Sequence, residues 1–392
     1  MSRLLVVGTG PLLEEEGARF VSGQCLRTIH FARPLIERGH HLTLVTVPIE
    51  SRETGSETEK KSWRGRSYDA FTTNREDAII PRLKGLLRRK KFDAVIGINP
   101  YPAYLVARCE PSIPFWADLN GWTPAEGQTR AAIVGHDRDA NHFWRLEAVT
   151  ALCADRFSTV SQRQADALYG ELAMLGRLNR HTFSWDFAVS VPNAIYPLYN
   201  ELKRGLYDRT LLPEFPENAP VVLWSGGYNT WTNVDLLAEG LAHAMESNER
   251  IVFVSTGGAV RGHDDSTYER FQRLAAEKLP ADRTHLLGWV EIERVLALHA
   301  RADVALNIDG KNTETRFGAR NRLTNMLGAG VPLITTAGTE IAEFIKEYDV
   351  GTVIPQDDPG ALSAAILESA RDLEAYRSRA QRARDIAREH FS

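Results

Sequence analysis

Four basic side chains, Lys311, Arg316, Arg320 and Arg322, crowd into the segment GKNTETRFGARNRLTNM just ahead of an expected helix. Guanidinium groups offer planar, paired donors that match phosphate oxygens, and a helix N-terminus adds the positive end of its dipole. The cluster is therefore a candidate anion site, with a solvated basic loop as the alternative. Upstream, Ser225-Gly226-Gly227-Tyr228-Asn229 lies between an apolar strand and a helix. Amides in such a turn can approach a diphosphate without side-chain obstruction, although a tight turn that needs glycine explains the same residues. A second turn, Thr256-Gly257-Gly258, follows the next strand.

The segment FWADLNGWTPAEGQ follows a short apolar run and places Asp118, Asn120 and Glu126 at a strand end. A carboxylate there can orient a hydroxyl or stabilise developing positive charge, or it can simply cap the loop. The loop 10–24 carries Arg19, Ser22, Gly23 and Gln24 behind three glutamates, Glu14 to Glu16, so a substrate-contacting loop and a solvated one both fit. In GHDRDANHFW, the three-residue spacing of His136, Asp139 and His142 predicts one shared helix face. A metal site would need further ligands, so an acceptor contact or a plain helix surface is preferred and no metal is assigned. The run Arg82, Lys84, Arg88, Arg89, Lys90 and Lys91 reads as a solvated helix end, with contact to anionic lipid as the alternative.

These residues need strands and helices to position them, and the periodicity supplies both. Apolar runs at 4–7, 42–47, 94–98, 115–118, 156–160 and 189–191 alternate with helical patterns, the first of which spans 23–38 and stops at Gly39. A second series runs through 221–224, 251–254, 285–287, 304–308, 333–335 and 351–354. Strand, helix, strand spacing of this kind predicts right-handed parallel crossovers and two open α/β sheets. The expected division is a first domain over 1–195, a proline-rich linker over 196–219, a second domain over 220–370 and a closing helix over 371–392.

At 392 residues the chain is too long for one compact core. A net charge of -4 argues against a protein that neutralises nucleic-acid phosphates. Cys25, Cys109 and Cys153 are too few and too scattered for a disulfide framework, which predicts a reducing, cytoplasmic compartment. No apolar run approaches the length of a membrane span, and residues 1–10 read as a first strand, not a signal peptide.

Four segments now fall in the order of a known group. RGHHLTLVT at 38–46, VPNAI at 191–195, LLGWVEIERVLALHARADVALNID at 286–309 and NMLGAGVPLITT at 325–336 resemble the GT-B glycosyltransferases. Within that group the chain is similar to the retaining family four, which includes sucrose-phosphate and bacterial polysaccharide glycosyltransferases. The resemblance implies two Rossmann-like domains facing a central cleft, with the closing helix crossing back to the N-terminal domain. It also implies transfer of a sugar from a nucleoside diphosphate sugar, with retention, and no cofactor beyond that co-substrate. The acceptor is left open among a glycan, a lipid-linked glycan and a small molecule, at the cytoplasmic face of a membrane or free of it.

In the resembling family an Arg in the first glycine turn and a Lys a few residues on bind the diphosphate. Here Gly226 or Gly227 and Thr232 stand in those places, so Arg320 and Arg322, with Arg316, are expected to hold the leaving group. The family's two glutamates are spaced E-x7-E. The ribose position falls on Asn325, and Glu314 lies upstream at a longer spacing as the candidate sugar contact. Gly257 and Gly258 correspond to a loop lining the donor cleft. Gly288-Trp289-Val290 resembles the segment whose backbone reads the nucleobase, which makes Val290 a donor residue and leaves Trp289 as either a neighbour of the base or a core aromatic. Asp118 stands where related enzymes often have His and joins Glu314 as a candidate catalytic group. Gly23, Gln24, Asn120 and His136 are expected on the acceptor side. An epimerase or hydrolase of the same fold, or a non-catalytic binding module, are the competing readings.

Overall fold

A computed structural model describes residues 1–13, 22–51, 56–260 and 264–391. Arg19 and Glu14 to Glu16 lie outside the described residues. The chain divides into two units, Met1–Pro192 with Phe317–Ala319, and Asn193–Arg316 with Arg320–Ser392. The stretch 196–219, expected as a linker, is counted with the second unit.

The first unit contains β1 (Arg3–Gly10), α1 (Gly23–Glu37), β2 (His41–Pro48), β3 (Thr58–Trp63), β4 (Arg66–Phe71), α2 (Glu76–Arg89) and β5 (Ala94–Ile98). It continues with α3 (Pro100–Ala107), β6 (Phe115–Leu119), α4 (Thr123–Val134), α5 (Ala140–Cys153), β7 (Arg156–Thr159), α6 (Gln162–Met174) and β8 (Ala188–Ser190). Among the described residues these strands form one sheet in the order β3-β4-β2-β1-β5-β6-β7-β8. All pairs are parallel except β3 with β4. β1 is apolar and buried along almost its whole length because helices cover both faces of a parallel sheet.

The β3–β4 hairpin has no counterpart in the sequence reading. Its strands are charged, as suits a sheet edge, and Arg64 and Gly65 turn it with φ of 50° and 73°. Positive φ at both central residues is the twist-matched hairpin geometry, but Arg-Gly is not the Asn-Gly or Asp-Gly pair that announces it.

The second unit begins with α7 (Pro197–Glu201) and β9 (Val221–Ser225), followed by α8 (Val234–Ser247), β10 (Val252–Thr256), α9 (Ser266–Lys278), β11 (Thr284–Leu286) and α10 (Ile292–Arg301). Then come β12 (Val304–Asn307), α11 (Thr313–Phe317), α12 (Asn321–Gly328), β13 (Leu333–Thr336), α13 (Glu340–Glu347), β14 (Thr352–Ile354), α14 (Pro359–Arg371) and α15 (Leu373–Phe391). Its described strands form a wholly parallel sheet, β11-β10-β9-β12-β13-β14. The core sits around Trp224, Tyr228, Phe253 and Phe271, stacked between that sheet and α8 and α9.

The sequence reading sends the closing helix back to the first domain. Within the described structure α15 is counted with the second unit, where it packs on α12 and α14. Arg384 and Arg388 donate to the Asn200 carbonyl, and the Phe391 carbonyl accepts from the Ile195 N–H at 2.7 Å. Buried Ala380, Ala383 and Ala387 make the packing face of this Arg-rich helix.

Candidate active site

The second sheet reverses its winding between β9 and β12, and α/β proteins bind ligands outside the strand C-termini at such points. After β9 the chain turns through Gly226 at φ 110°, a region in which glycine is at ease and other residues are strained. After β10 it turns through Gly257 at φ 80°, where a Cβ would collide with the Gly226 carbonyl. The Gly257 N–H donates to the Gly288 carbonyl at 2.7 Å, and the Tyr228 N–H donates to Gly258 at 3.0 Å. Three loops are thus laced backbone to backbone, and the glycines are what let them meet.

Arg322, in the first turn of α12, reaches this point. Its guanidinium lies 4.5 Å from the centre of the Trp224 ring, and its Nη2 donates to the Gly227 carbonyl. Its Nη1 is enclosed and has no hydrogen-bond partner among the described residues. Burial pulls the group down to about 10, which still leaves a cation at neutral pH. An enclosed charged donor without an acceptor is the kind of orphan that calls for an explanation, and an anion at the glycine turn supplies one.

Arg320 is disposed differently. It is 4% exposed and turned inward, with Nε 2.8 Å from Asp309 Oδ2 and its two terminal nitrogens 2.9 and 2.6 Å from Glu314 Oε1 and Oε2. The Trp231 ring lies 4.9 Å away. Burial opposes charge on Arg320, but the two carboxylates outweigh it and raise its pKa above the usual arginine value. Burial also pushes Glu314 up, against the pull of Arg320. Arg320 is charged and held by both acids, as the bidentate geometry requires. Arg316 and Lys311 are exposed.

Asn325 is buried, and its Oδ1 accepts from the Tyr196 N–H at 2.9 Å, so the oxygen expected on a ribose fastens the entry to the unit. Trp289 is not a core residue: it is 45% exposed, and its indole N–H donates to the Ala259 carbonyl at 2.9 Å. A Cβ at Gly227 would lie 3.4 Å from its six-membered ring, so the indole stands over the glycine turn. Val290, half-buried, follows it directly before α10.

In the first unit the winding reverses between β1 and β5. Asp118, near the end of β6, is 0% exposed. Arg27 of α1 donates to it through Nε at 3.0 Å and Nη2 at 2.7 Å, and Ser158 donates at 2.6 Å. Arg27 also donates to the Pro192 carbonyl at 3.0 Å. The carboxylate is thereby committed within the fold, not presented at its surface.

Asn99, which the sequence reading passed over, sits at the reversal itself with φ 74° and no exposure. Its Nδ2 donates to Thr9 Oγ at 3.1 Å and to the Gln24 carbonyl at 2.9 Å, and its Oδ1 accepts from Asn120 at 2.9 Å. Gln24 and Asn120 are therefore brought together, next to Gly23 at the start of α1. The Asn99-Pro100 dipeptide at the end of an apolar strand was the available signal.

His136 is exposed between α4 and α5. The shared helix face expected for His136, Asp139 and His142 is not formed: only His142 lies on α5, and Asp139 pairs with Arg130 at 3.1 Å. Among the described residues no group of three or more His, Cys, Asp or Glu could hold a metal, and no described helix is long and apolar enough to cross a membrane.

Residues 21–172 match the Glycosyltransferase Family 4 model, and residues 219–372 match Glycosyl transferases group 1. No curated protein matches by sequence. Among solved structures, the sucrose-phosphate synthase of Thermosynechococcus elongatus superposes with a TM-score of 0.74 at 14% identity, over 100% of this chain and 95% of that one. An E. coli trehalose-6-phosphate structure bound with UDP-2-fluoro glucose gives 0.69 at 12%, over 99% and 96%. Anabaena HepE in complex with UDP and glucose gives 0.65 at 13%, over 100% and 96%. With both halves matched to glycosyltransferase families and the whole chain to their fold, the chain is a glycosyltransferase of the GT-B type.

Proposed function

We propose that the enzyme moves a sugar, with retention, from a nucleoside diphosphate sugar bound at the β9/β12 reversal to a hydroxyl acceptor handled by the first unit. The observation that carries this reading is the unpartnered Nη1 of Arg322 beside the Gly226-Gly227 turn. Arg322 and the amides of Gly226, Gly227, Gly257 and Gly258 hold the diphosphate, and stabilise the charge that grows on it as the glycosidic bond breaks. Arg320 contributes indirectly by keeping Asp309 and Glu314 in place, so Glu314 faces the sugar only if this pair opens. Trp289 and Val290 flank the base, Arg316 lies at the exposed rim, and Asn325 positions the chain at Tyr196.

On the acceptor side Gly23, Gln24 and Asn120 are organised by Asn99, Asp118 acts through Arg27, and His136 is an outer contact. Because two structural neighbours carry UDP or a UDP sugar, UDP is the first nucleotide to test. Calorimetry with UDP, GDP and ADP on the wild type and Arg322→Ala decides the reading. We expect one nucleotide to bind and the variant to lose about 10- to 100-fold in affinity, the worth of a charge-assisted bond. Equal affinities would remove Arg322 from the donor site, and no binding to any nucleotide would remove the donor class.

A further inference from the structure

Two carboxyl groups of the first unit have no part in that reading. Glu147 on α5 and Glu171 on α6 stand near enough to interact electrostatically, against the turn that joins β6 to α4. Each gives one oxygen to that turn. Thr123 Oγ donates to Glu147 Oε2 at 2.8 Å, and Trp122 Nε1 donates to Glu171 Oε1 at 2.5 Å. The other two oxygens, Glu147 Oε1 and Glu171 Oε2, are buried with no hydrogen-bond partner among the described residues.

Among the described residues no cation relieves them. From α4 the facing charge is Glu126, another carboxylate. From α3, Tyr104 and Arg108 bond each other and Glu76, and Arg145 of α5 donates to Tyr104. Arg177, beyond α6, donates to the carbonyls of Ala151 and Ala154. Two ionised carboxylates in such a place repel each other and forgo hydration, whereas one proton between them converts two orphan acceptors into a donor and an acceptor.

We propose that Glu147 and Glu171 share a single proton between Glu147 Oε1 and Glu171 Oε2, and that this bridged pair positions the β6–α4 turn. Burial and the neighbouring Glu171 hold Glu147 well above the ordinary glutamate range, and burial raises Glu171 as well. The turn in question carries Asn120, and its Gly121 carbonyl accepts from Gln164 of α6 at 2.9 Å. Loss of the shared proton therefore loosens a segment that meets Asn99. A carboxyl group raised on folding stabilises the protein most at low pH, and that contribution falls away as pH climbs from the ordinary glutamate value through the raised one.

Glu147→Gln reproduces the bridged state without a proton to lose, since its amide can donate to Glu171 and accept from Thr123. We expect the wild-type melting temperature to decline from mildly acidic to alkaline pH more steeply than that of the variant. At the alkaline end the variant should melt higher by about 2–4 °C for each kcal/mol of repulsion removed. Parallel profiles would overturn the proposal. Infrared spectroscopy on the wild type gives a reading that does not depend on the variant folding. A buried protonated-carboxyl band should be present at neutral pH and disappear at alkaline pH, and a wild type without it at neutral pH would equally sink the idea. Glutamine in place of Glu147 should also flatten the alkaline limb of activity, which a purely structural role would leave unmoved.

Discussion

Arg320 and Glu314 face each other as a bidentate pair, with Nη1 on Oε1 at 2.9 Å and Nη2 on Oε2 at 2.6 Å, both side chains almost wholly enclosed. Asp309 takes the remaining Nε–H, so one guanidinium serves two buried acids. The pair lies six positions apart in sequence, yet the arginine expected to bind a leaving group is the one that locks the loop.

Removing that arginine strands two carboxylates in a buried site. Breaking a buried pair from one side typically costs about 3–5 kcal/mol, so Arg320→Ala should lower the denaturant midpoint by that amount of stability. Arg320→Lys keeps the charge but not the fork and should fall between. Chemical denaturation measures both, and an unchanged midpoint for the alanine variant would mean that the pair adds nothing to the fold.

Trp289 makes the opposite kind of prediction, because it is exposed and its indole nitrogen donates to a backbone carbonyl. Stacking of a base on an aromatic ring is worth about 1–3 kcal/mol. Trp289→Ala should therefore weaken nucleoside diphosphate binding correspondingly while leaving pyrophosphate binding and the melting temperature near wild type. Loss of both ligands in parallel would place the indole's role in shaping the turn instead.

Asp118 tests the boundary between fold and chemistry. Its carboxylate is enclosed by Arg27 and Ser158, so Asp118→Asn should lower the melting temperature and the turnover together. A variant that melts like the wild type but no longer turns over would restore Asp118 as a catalytic group.

Much of the architecture was legible because parallel strands buried on both faces must be apolar throughout, and glycine turns mark where they stop. The fourteen residues of the charged edge hairpin were not, since β3 and β4 lack both an apolar pattern and an Asn-Gly turn, and α15 was legible as a helix. At the site the sequence by itself determined the glycine turns and an arginine pair ahead of α12. Only the tertiary structure decided that Arg320 faces Glu314 while Arg322 faces the glycine turn, that Asn325 is taken by Tyr196, and that Asp118 is taken by Arg27, 91 residues earlier. The reason is physical: local spacing sets which side chains a segment offers, but a buried charge takes whichever partner the packed sheet brings within hydrogen-bond reach, and that partner is chosen by strand order, not by distance along the chain.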